Sequence, residues 1–321
     1  MISYFRLNLI AALAIILNAV VVIAAHFSFQ SSTPSSRTVT LNVLVMNKQN
    51  LPVADLKRED FQLLEDQTIL PISVFSDEYF PINYVLALDI SRSVKSRFKQ
   101  LVLTAKTIIG NNQPLDETFL IIFRGESEAV LPHFTADKAL LIDRLDSVSR
   151  WVGGHSAILD AAYLSVQPIA DYKKATGKVN RRYALILITD GFENSSYYNE
   201  KKVLKRLGEE AVQVFVIGLT EYLRNDNAHL YEAQGQRAKA LLTRLAQETG
   251  GYADFPENET ELDKVAQVVS RILHTQYSIG FSVKSDVKPG IYNKVKIKLI
   301  QKPGMDQYKV IAPKSYVVPQ Q

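Results

Sequence analysis

The sequence predicts an α/β fold: a doubly wound, mostly parallel sheet, with a small accessory β-sandwich built from the N- and C-terminal segments. Three observations predict it. Continuous apolar runs at Tyr84–Leu88, Phe119–Phe123 and Ala184–Ile188 mark strands buried on both faces. Segments of helical periodicity separate those runs, the alternation that a parallel sheet requires. Period-two segments lie at both ends, before residue 80 and after residue 276.

The elements follow in order. Leu7 to Ala25 is apolar except for Asn8 and Asn18, behind a weak positive start at Arg6. It reads either as a cleaved secretory signal or as an uncleaved membrane anchor, so residues 1–25 are set apart from the fold. Ser31–Ser36 continues as a flexible spacer within residues 26–37. Both readings place the body outside the cytoplasm, periplasmic or extracellular, or tethered to the membrane through residues 7–25. In residues 38–80, Val39, Leu41, Val43 and Val45 alternate with polar positions, and Phe61–Glu65 and Ile72–Phe75 are further short strands. Residues 81–275 form the α/β body. After its first buried strand come an amphipathic helix over Ser93–Ile109, the strand at Phe119, and helices at Ala139–Leu145 and Ala157–Val166. The strand at Ala184, a helix over Glu200–Gly208, a strand at Val212–Ile217 and helices at Ala238–Glu248 and Leu262–Leu273 complete it. In residues 276–321, Tyr277–Val283, Lys294–Leu299 and Tyr308–Ile311 are strands expected to pair with residues 38–80. The lysines that alternate with apolar residues in Lys294–Leu299 read as a solvated strand face.

Composition narrows the function. A chain of 321 residues with 47% hydrophobic and 22% charged residues buries a substantial core. It has no cysteine, which excludes a disulfide scaffold, a thiol nucleophile and a thiolate zinc site. A net charge of +4 gives no support to nucleic-acid binding. No glycine-rich phosphate loop is present.

The first buried strand ends in Asp89-Ile90-Ser91-Arg92-Ser93, and the strand at Ala184 ends in Thr189-Asp190-Gly191. Between them, Gly153-Gly154-His155-Ser156-Ala157 opens a helix that carries Asp160. Ligands of open α/β sheets bind beyond the carboxyl ends of the strands. Two carboxylates and three hydroxyls there form an all-oxygen set suited to a hard divalent cation, Mg2+ first and Mn2+ or Ca2+ behind it.

At these residues the sequence resembles the von Willebrand factor type A (VWA) domain and its metal-ion-dependent adhesion site. Asp89, Ser91 and Ser93 match the family's Asp-x-Ser-x-Ser. Ser156 stands where the family's glycine-rich loop has threonine, and Asp190 matches the aspartate before glycine. The resemblance runs from about Ile82 to Thr275 and extends, with the terminal strands, to secreted bacterial VWA-related proteins. It implies metal-dependent protein binding without catalysis, with Asp89, Ser91, Ser93, Ser156 and Asp190 holding the metal and an Asp or Glu of a partner protein completing its shell. Arg92, Lys95 and Arg97 flank the first element, and Trp151, Tyr197 and Tyr198 form a candidate aromatic rim.

Three other readings compete. The metal site of a VWA-like scaffold can be vestigial. Gly154-His155-Ser156 begins like a nucleophile elbow, with Asp190 and His229 or His274 as partners, but Ile158 stands where such an elbow needs its second glycine. Asp89 at a strand end resembles a phosphoryl-accepting aspartate, with Ser91 where a second carboxylate belongs.

Overall fold

The computed structural model describes residues 37–318 except 149–152, 179, 194, 220–227, 284–286, 289, 291, 301, 303 and 305–306. The apolar N-terminal segment, most of the spacer, and Trp151 therefore lie outside the described residues. Among those described, no helix is long and apolar enough to cross a membrane.

The chain opens with β1 (Arg37–Met46), β2 (Phe61–Glu65), β3 (Thr68–Leu70) and β4 (Val74–Ser76). The body then runs β5 (Ile82–Asp89), α1 (Phe98–Gly110), β6 (Glu117–Arg124), β7 (Glu126–Ala129), α2 (Lys138–Ser147), α3 (Ile158–Leu164), α4 (Val166–Thr176) and β8 (Arg182–Thr189). It continues through α5 (Glu200–Glu209), β9 (Gln213–Gly218), α6 (Ala228–Glu248), β10 (Ala253–Asp254) and α7 (Glu259–His274). Five strands close the chain: β11 (Tyr277–Val283), β12 (Tyr292–Lys294), β13 (Lys296–Leu299), β14 (Lys309–Ile311) and β15 (Ser315–Val317).

The body sheet has the order β10-β9-β8-β5-β6-β7, and only β7 is antiparallel to its neighbour. Every residue of β5 and β8 is buried, as their unbroken apolar runs require. Alternate residues serve two cores. Tyr84, Leu86 and Leu88 of β5 pack with Leu101 and Ala105 of α1 and Val269 of α7. Val85 and Ala87 pack with Ile158 of α3, Ile169 of α4 and Leu242 of α6. From β5 the chain passes through α1 to β6 on one side; from β8 it passes through α5 to β9 on the other. The crevice between β5 and β8 is thus the topological switch point, where such sheets bind ligands.

Strands from both chain ends form antiparallel sheets in the orders β14-β1-β11-β4 and β13-β2-β3, with β12 and β15 as a separate pair. Leu41, Val43, Phe61, Leu63, Ile279, Phe281 and Ile297 share one core between them. In the lysine-alternating segment, Lys296 and Lys298 are exposed while Val295, Ile297 and Leu299 are buried.

Some boundaries differ from the sequence reading. The helix expected over Ser93–Ile109 is a 3-10 segment, Arg92–Arg97, followed by α1. Ala157–Val166 contains α3 and runs directly into α4, which the periodicity did not separate. Short β3, β7, β10, β12 and β15 carry too few residues to show a period.

Asp116 ties the strand ends to the last helix. One of its carboxylate oxygens accepts from the Ile82 amide at 3.0 Å and the Tyr79 hydroxyl at 2.8 Å. The other accepts from the Gln113 amide at 2.7 Å and lies 2.7 Å from His274 Nε2. Burial pushes the Asp116 carboxyl up, but hydrogen bonds from His274, Ile82, Gln113 and Tyr79 outweigh it and hold it below the usual carboxylate range. Asp116→Ala, which leaves buried donors unpaired, is expected to cost about 3–5 kcal/mol at pH 7, read as a lower urea midpoint. Because the folded pKa is depressed, this contribution is present above the unfolded value. It is lost as pH falls, so the two midpoints converge below about pH 4.

Candidate metal centre

The register of β5 and β8 brings the first two carboxylates together. Leu88 pairs with Ile188, so Asp89 and Thr189 stand side by side one position further on. They share the face that carries Ala87 and Leu187, toward α3. Thr189 Oγ1 donates to Asp89 Oδ2 at 2.6 Å and accepts from the Gly191 amide at 3.0 Å. Asp190 follows at the start of the loop, and its Oδ1 accepts from the Phe192 amide at 3.2 Å.

Ser156 approaches from the loop before α3, and its hydroxyl donates to Asp89 Oδ2 at 3.1 Å. That loop is held against β5 by backbone bonds, Gly153 N to Ile90 O at 2.8 Å and Arg92 N to Gly154 O at 3.1 Å. Gly154 has φ +85°, and a Cβ there would stand 2.9 Å from the Arg124 carbonyl oxygen, so the sharp approach requires glycine. The Ser91 amide donates to Asp89 Oδ1 at 2.9 Å, and the Ser91 and Ser93 hydroxyls are 3.0 Å apart. The Ser93 hydroxyl in turn favours the charged form of Asp190. Asp89, Ser91, Ser93 and Ser156 are thereby linked through direct hydrogen bonds, and the charge of Asp190 acts on Asp89. Asp89, Ser91, Ser156 and Asp190 are buried, whereas Ser93 is exposed, so the site opens to solvent on the side of Ser93.

Two buried carboxylates in one network conflict electrostatically. Burial, then the charge of Asp190, pushes the Asp89 carboxyl up to about 7 against the bonds from Ser91 and Thr189. Burial also holds the Asp190 carboxyl above its ordinary range, opposed by the Ser93 hydroxyl, the Phe192 amide and the Arg97 charge. Asp190 Oδ2 is buried without a hydrogen-bond partner. An orphaned carboxylate oxygen beside a second carboxylate and serine hydroxyls fits a divalent cation of oxygen preference. Among the described residues no cluster of three or more His, Asp or Glu side chains forms, so hydroxyls must supply part of any metal shell here.

Other residues brace the site. The carboxylate of Asp160 accepts from the amides of Tyr197 at 2.9 Å and Tyr198 at 2.8 Å. Glu193 accepts from the Leu159 amide at 2.9 Å and the Ser196 hydroxyl at 2.8 Å, and Ser195 Oγ donates to the Ser156 carbonyl at 2.9 Å. The loop after β8 is therefore clamped to the start of α3. Tyr198 stacks on Tyr163 at 3.7 Å between centroids, and Tyr197 stands edge-on to Tyr198 with 83% of its surface exposed. Sequence reasoning missed Thr189 and Glu193; the hydroxyl at Thr189, with the parity of Asp89 on the facing strand, was the available signal for the first.

Of the two histidines that the nucleophile-elbow reading offered, the side chain of His229 lies outside the described residues. Ser156 donates to Asp89, and His274 is engaged by Asp116 and the Ser270 carbonyl.

The fold and the site together define a VWA-type domain, and the family model for the von Willebrand factor type A domain matches residues 83–268. The chain belongs to that family. Similar solved structures include the conserved hypothetical protein BatB from Bacteroides thetaiotaomicron, 20% identical over 60% of this chain and 98% of that one, with a TM-score of 0.46. An aerotolerance-related membrane protein from Bacteroides fragilis NCTC 9343 is also 20% identical, over 59% and 98% of the two chains, with a TM-score of 0.45. Proximal thread matrix protein 1 from the mussel byssus, with a zinc-occupied MIDAS motif, is 15% identical over 66% and 50%, with a TM-score of 0.47. No curated protein matches the chain.

The raised Asp89 pKa has a stability consequence in the metal-free protein. Its folded value lies above the unfolded one, so the stability it confers is full below about pH 4 and is lost as pH rises through 7. In chelator, the urea midpoint should fall between pH 5 and pH 8. Asp89→Asn should flatten that dependence and stabilise the protein by about 1–3 kcal/mol at pH 8.

Proposed function

We propose that this protein binds a partner protein through a divalent cation held by Asp89, Ser91, Ser93, Ser156 and Asp190, some of them through water. Mg2+ is the first choice, with Mn2+ and Ca2+ behind it, since every donor is a hard oxygen. The observation that carries the reading is the Asp190 oxygen left buried and unpartnered beside a second buried carboxylate. A cation there relieves the repulsion between Asp89 and Asp190, and the neutral hydroxyls complete its shell without adding charge. VWA adhesion sites as a class take divalent metals, and the family membership supports the same use here.

The partner contributes an Asp or Glu carboxylate to the metal on the exposed Ser93 side. Exposed Tyr197, edge-on to Tyr198 on its stacked support, offers an aromatic contact to what binds. No covalent chemistry is assigned to the site: Ser156 is a ligand and Asp89 the organiser of the network. The apolar run from Leu7 to Ala25 supports placing this binding outside the cytoplasm, periplasmic or extracellular, with or without a membrane tether.

Calorimetric titration of Mg2+, then Mn2+, into the full chain should show one saturable site. Asp89→Ala and Asp190→Ala should each weaken it more than tenfold while the protein stays folded by circular dichroism. Gly154→Ala should weaken it too, because the loop carrying Ser156 must shift. Partner capture that is equal in Mg2+ and in chelator would overturn the metal-dependent reading.

A further inference from the structure

A groove of 1320 Å³ opens at the other end of the parallel sheet, where β9 begins at Gln213. One wall is Thr38–Asn42 of β1, another is Ser315–Val318, and Leu204 and Leu207 of α5 line it with Tyr292. Tyr292 is anchored there, its ring against Gly208 and its hydroxyl donating to the Lys205 carbonyl. Alternate residues of a strand face opposite ways, so lining by consecutive residues means that both strands meet the groove edge-on.

The backbone of β1 faces this groove at every second residue. Thr40 is opposite Gly280, whose carbonyl is turned to the far side of β11, where it accepts from the Ser73 amide at 2.8 Å. Thr40 and Gly280 are therefore a pair without mutual hydrogen bonds. By the alternation of an antiparallel ladder, Val39 and Leu41 bond to β11 while Thr38, Thr40 and Asn42 turn their N–H and C=O groups the other way. On that side β14 pairs with β1, but only at Leu44–Met46.

Continuing the same register would set Ser315 opposite Thr40 and Val317 opposite Thr38. The chain leaves the ladder instead. Pro313, which has no N–H to give, bridges to Thr249, and the Lys314 amide donates to the Glu248 carbonyl at 3.2 Å. Beyond this bend β15 pairs with β12. The carbonyls of Lys314 and Val318 accept from Val295 and Gly290 on the β12 side, so Ser315 and Val317 turn theirs away from β12. Two strand edges thus line one groove, and neither has a strand partner there among the described residues.

Charges around the groove largely satisfy one another. Lys173 pairs with Glu210, Lys205 and Arg206 with Glu209, Arg244 with Glu200, and Lys314 with Glu248. What the groove lacks is backbone partners rather than counter-charges. We propose that it binds an extended, uncharged segment of another polypeptide, which adds a strand to β1 along Thr38–Asn42. Main-chain bonds supply the affinity in this mode, and the apolar surface of Leu204, Tyr292 and Val317 takes alternate side chains. The site is independent of the metal centre.

The probe is a blocked peptide with the β11 sequence Tyr277–Val283, the pattern that β1 already accepts along its other edge. In the full chain, the Thr38, Thr40 and Asn42 amides should exchange with deuterium faster than those of Val39 and Leu41, and should slow at least tenfold with saturating peptide. Peptide N-methylated at alternate residues should bind at least tenfold more weakly. Thr40→Pro removes a donor that faces the groove and leaves the β11 ladder intact, so it should weaken the peptide at least tenfold with little change in melting temperature. Unchanged exchange at the three amides, or equal binding of the N-methylated peptide, overturns the proposal. So does a chain that sediments as a dimer with those amides already protected, which would give the edge to a second copy.

Discussion

Asp89 and Asp190 lie at the ends of neighbouring parallel strands, buried and alike in charge. Left in water they would separate; the sheet prevents it, because β5 and β8 are paired along their length and buried on both faces. The surrounding network is what makes this tolerable. Thr189, Ser156 and the Ser91 amide satisfy Asp89, while the Phe192 amide satisfies part of Asp190 and the Ser93 hydroxyl favours its charged form. One oxygen, Asp190 Oδ2, remains buried without a hydrogen-bond partner.

The loops are arranged around that constraint. The segment carrying Ser156 is stitched to β5 by two backbone bonds, and the loop after β8 is locked to α3 through Asp160 and Glu193. Neither loop is free to adjust independently. Ser195 of the second loop also bonds the Ser156 carbonyl of the first, so the two loops are joined to each other.

Much of this was legible in the sequence, for reasons that differ by element. β5, β6 and β8 announce themselves because burial on both faces demands unbroken apolar runs, and Asp89 and Asp190 stand where those runs stop. α4 follows α3 with only Ser165 between them, and Pro168 in its first turn was the available signal of a new helix. β12 and β15 span three residues each, and their pairing is set by the bend at Pro313 rather than by periodicity. Thr189 illustrates the limit at the site. A threonine before an aspartate is ordinary in a strand; only the β5–β8 register makes it the neighbour of Asp89. Hydrogen-bonded pairs such as Asp116 with His274 join residues 158 positions apart, and no local pattern encodes them.

The pairing of β1 with β11 brings together the first described element and one that follows the entire α/β body. Between Met46 and Tyr277 lie about 230 residues, and all six strands of the body sheet fall within that stretch. Closing so long a loop through a disordered chain is slow, but a folded body shortens the search by holding Ile82 and His274 close to Asp116. The buried contacts of one aspartate thereby hold together the two points at which the chain enters and leaves the body.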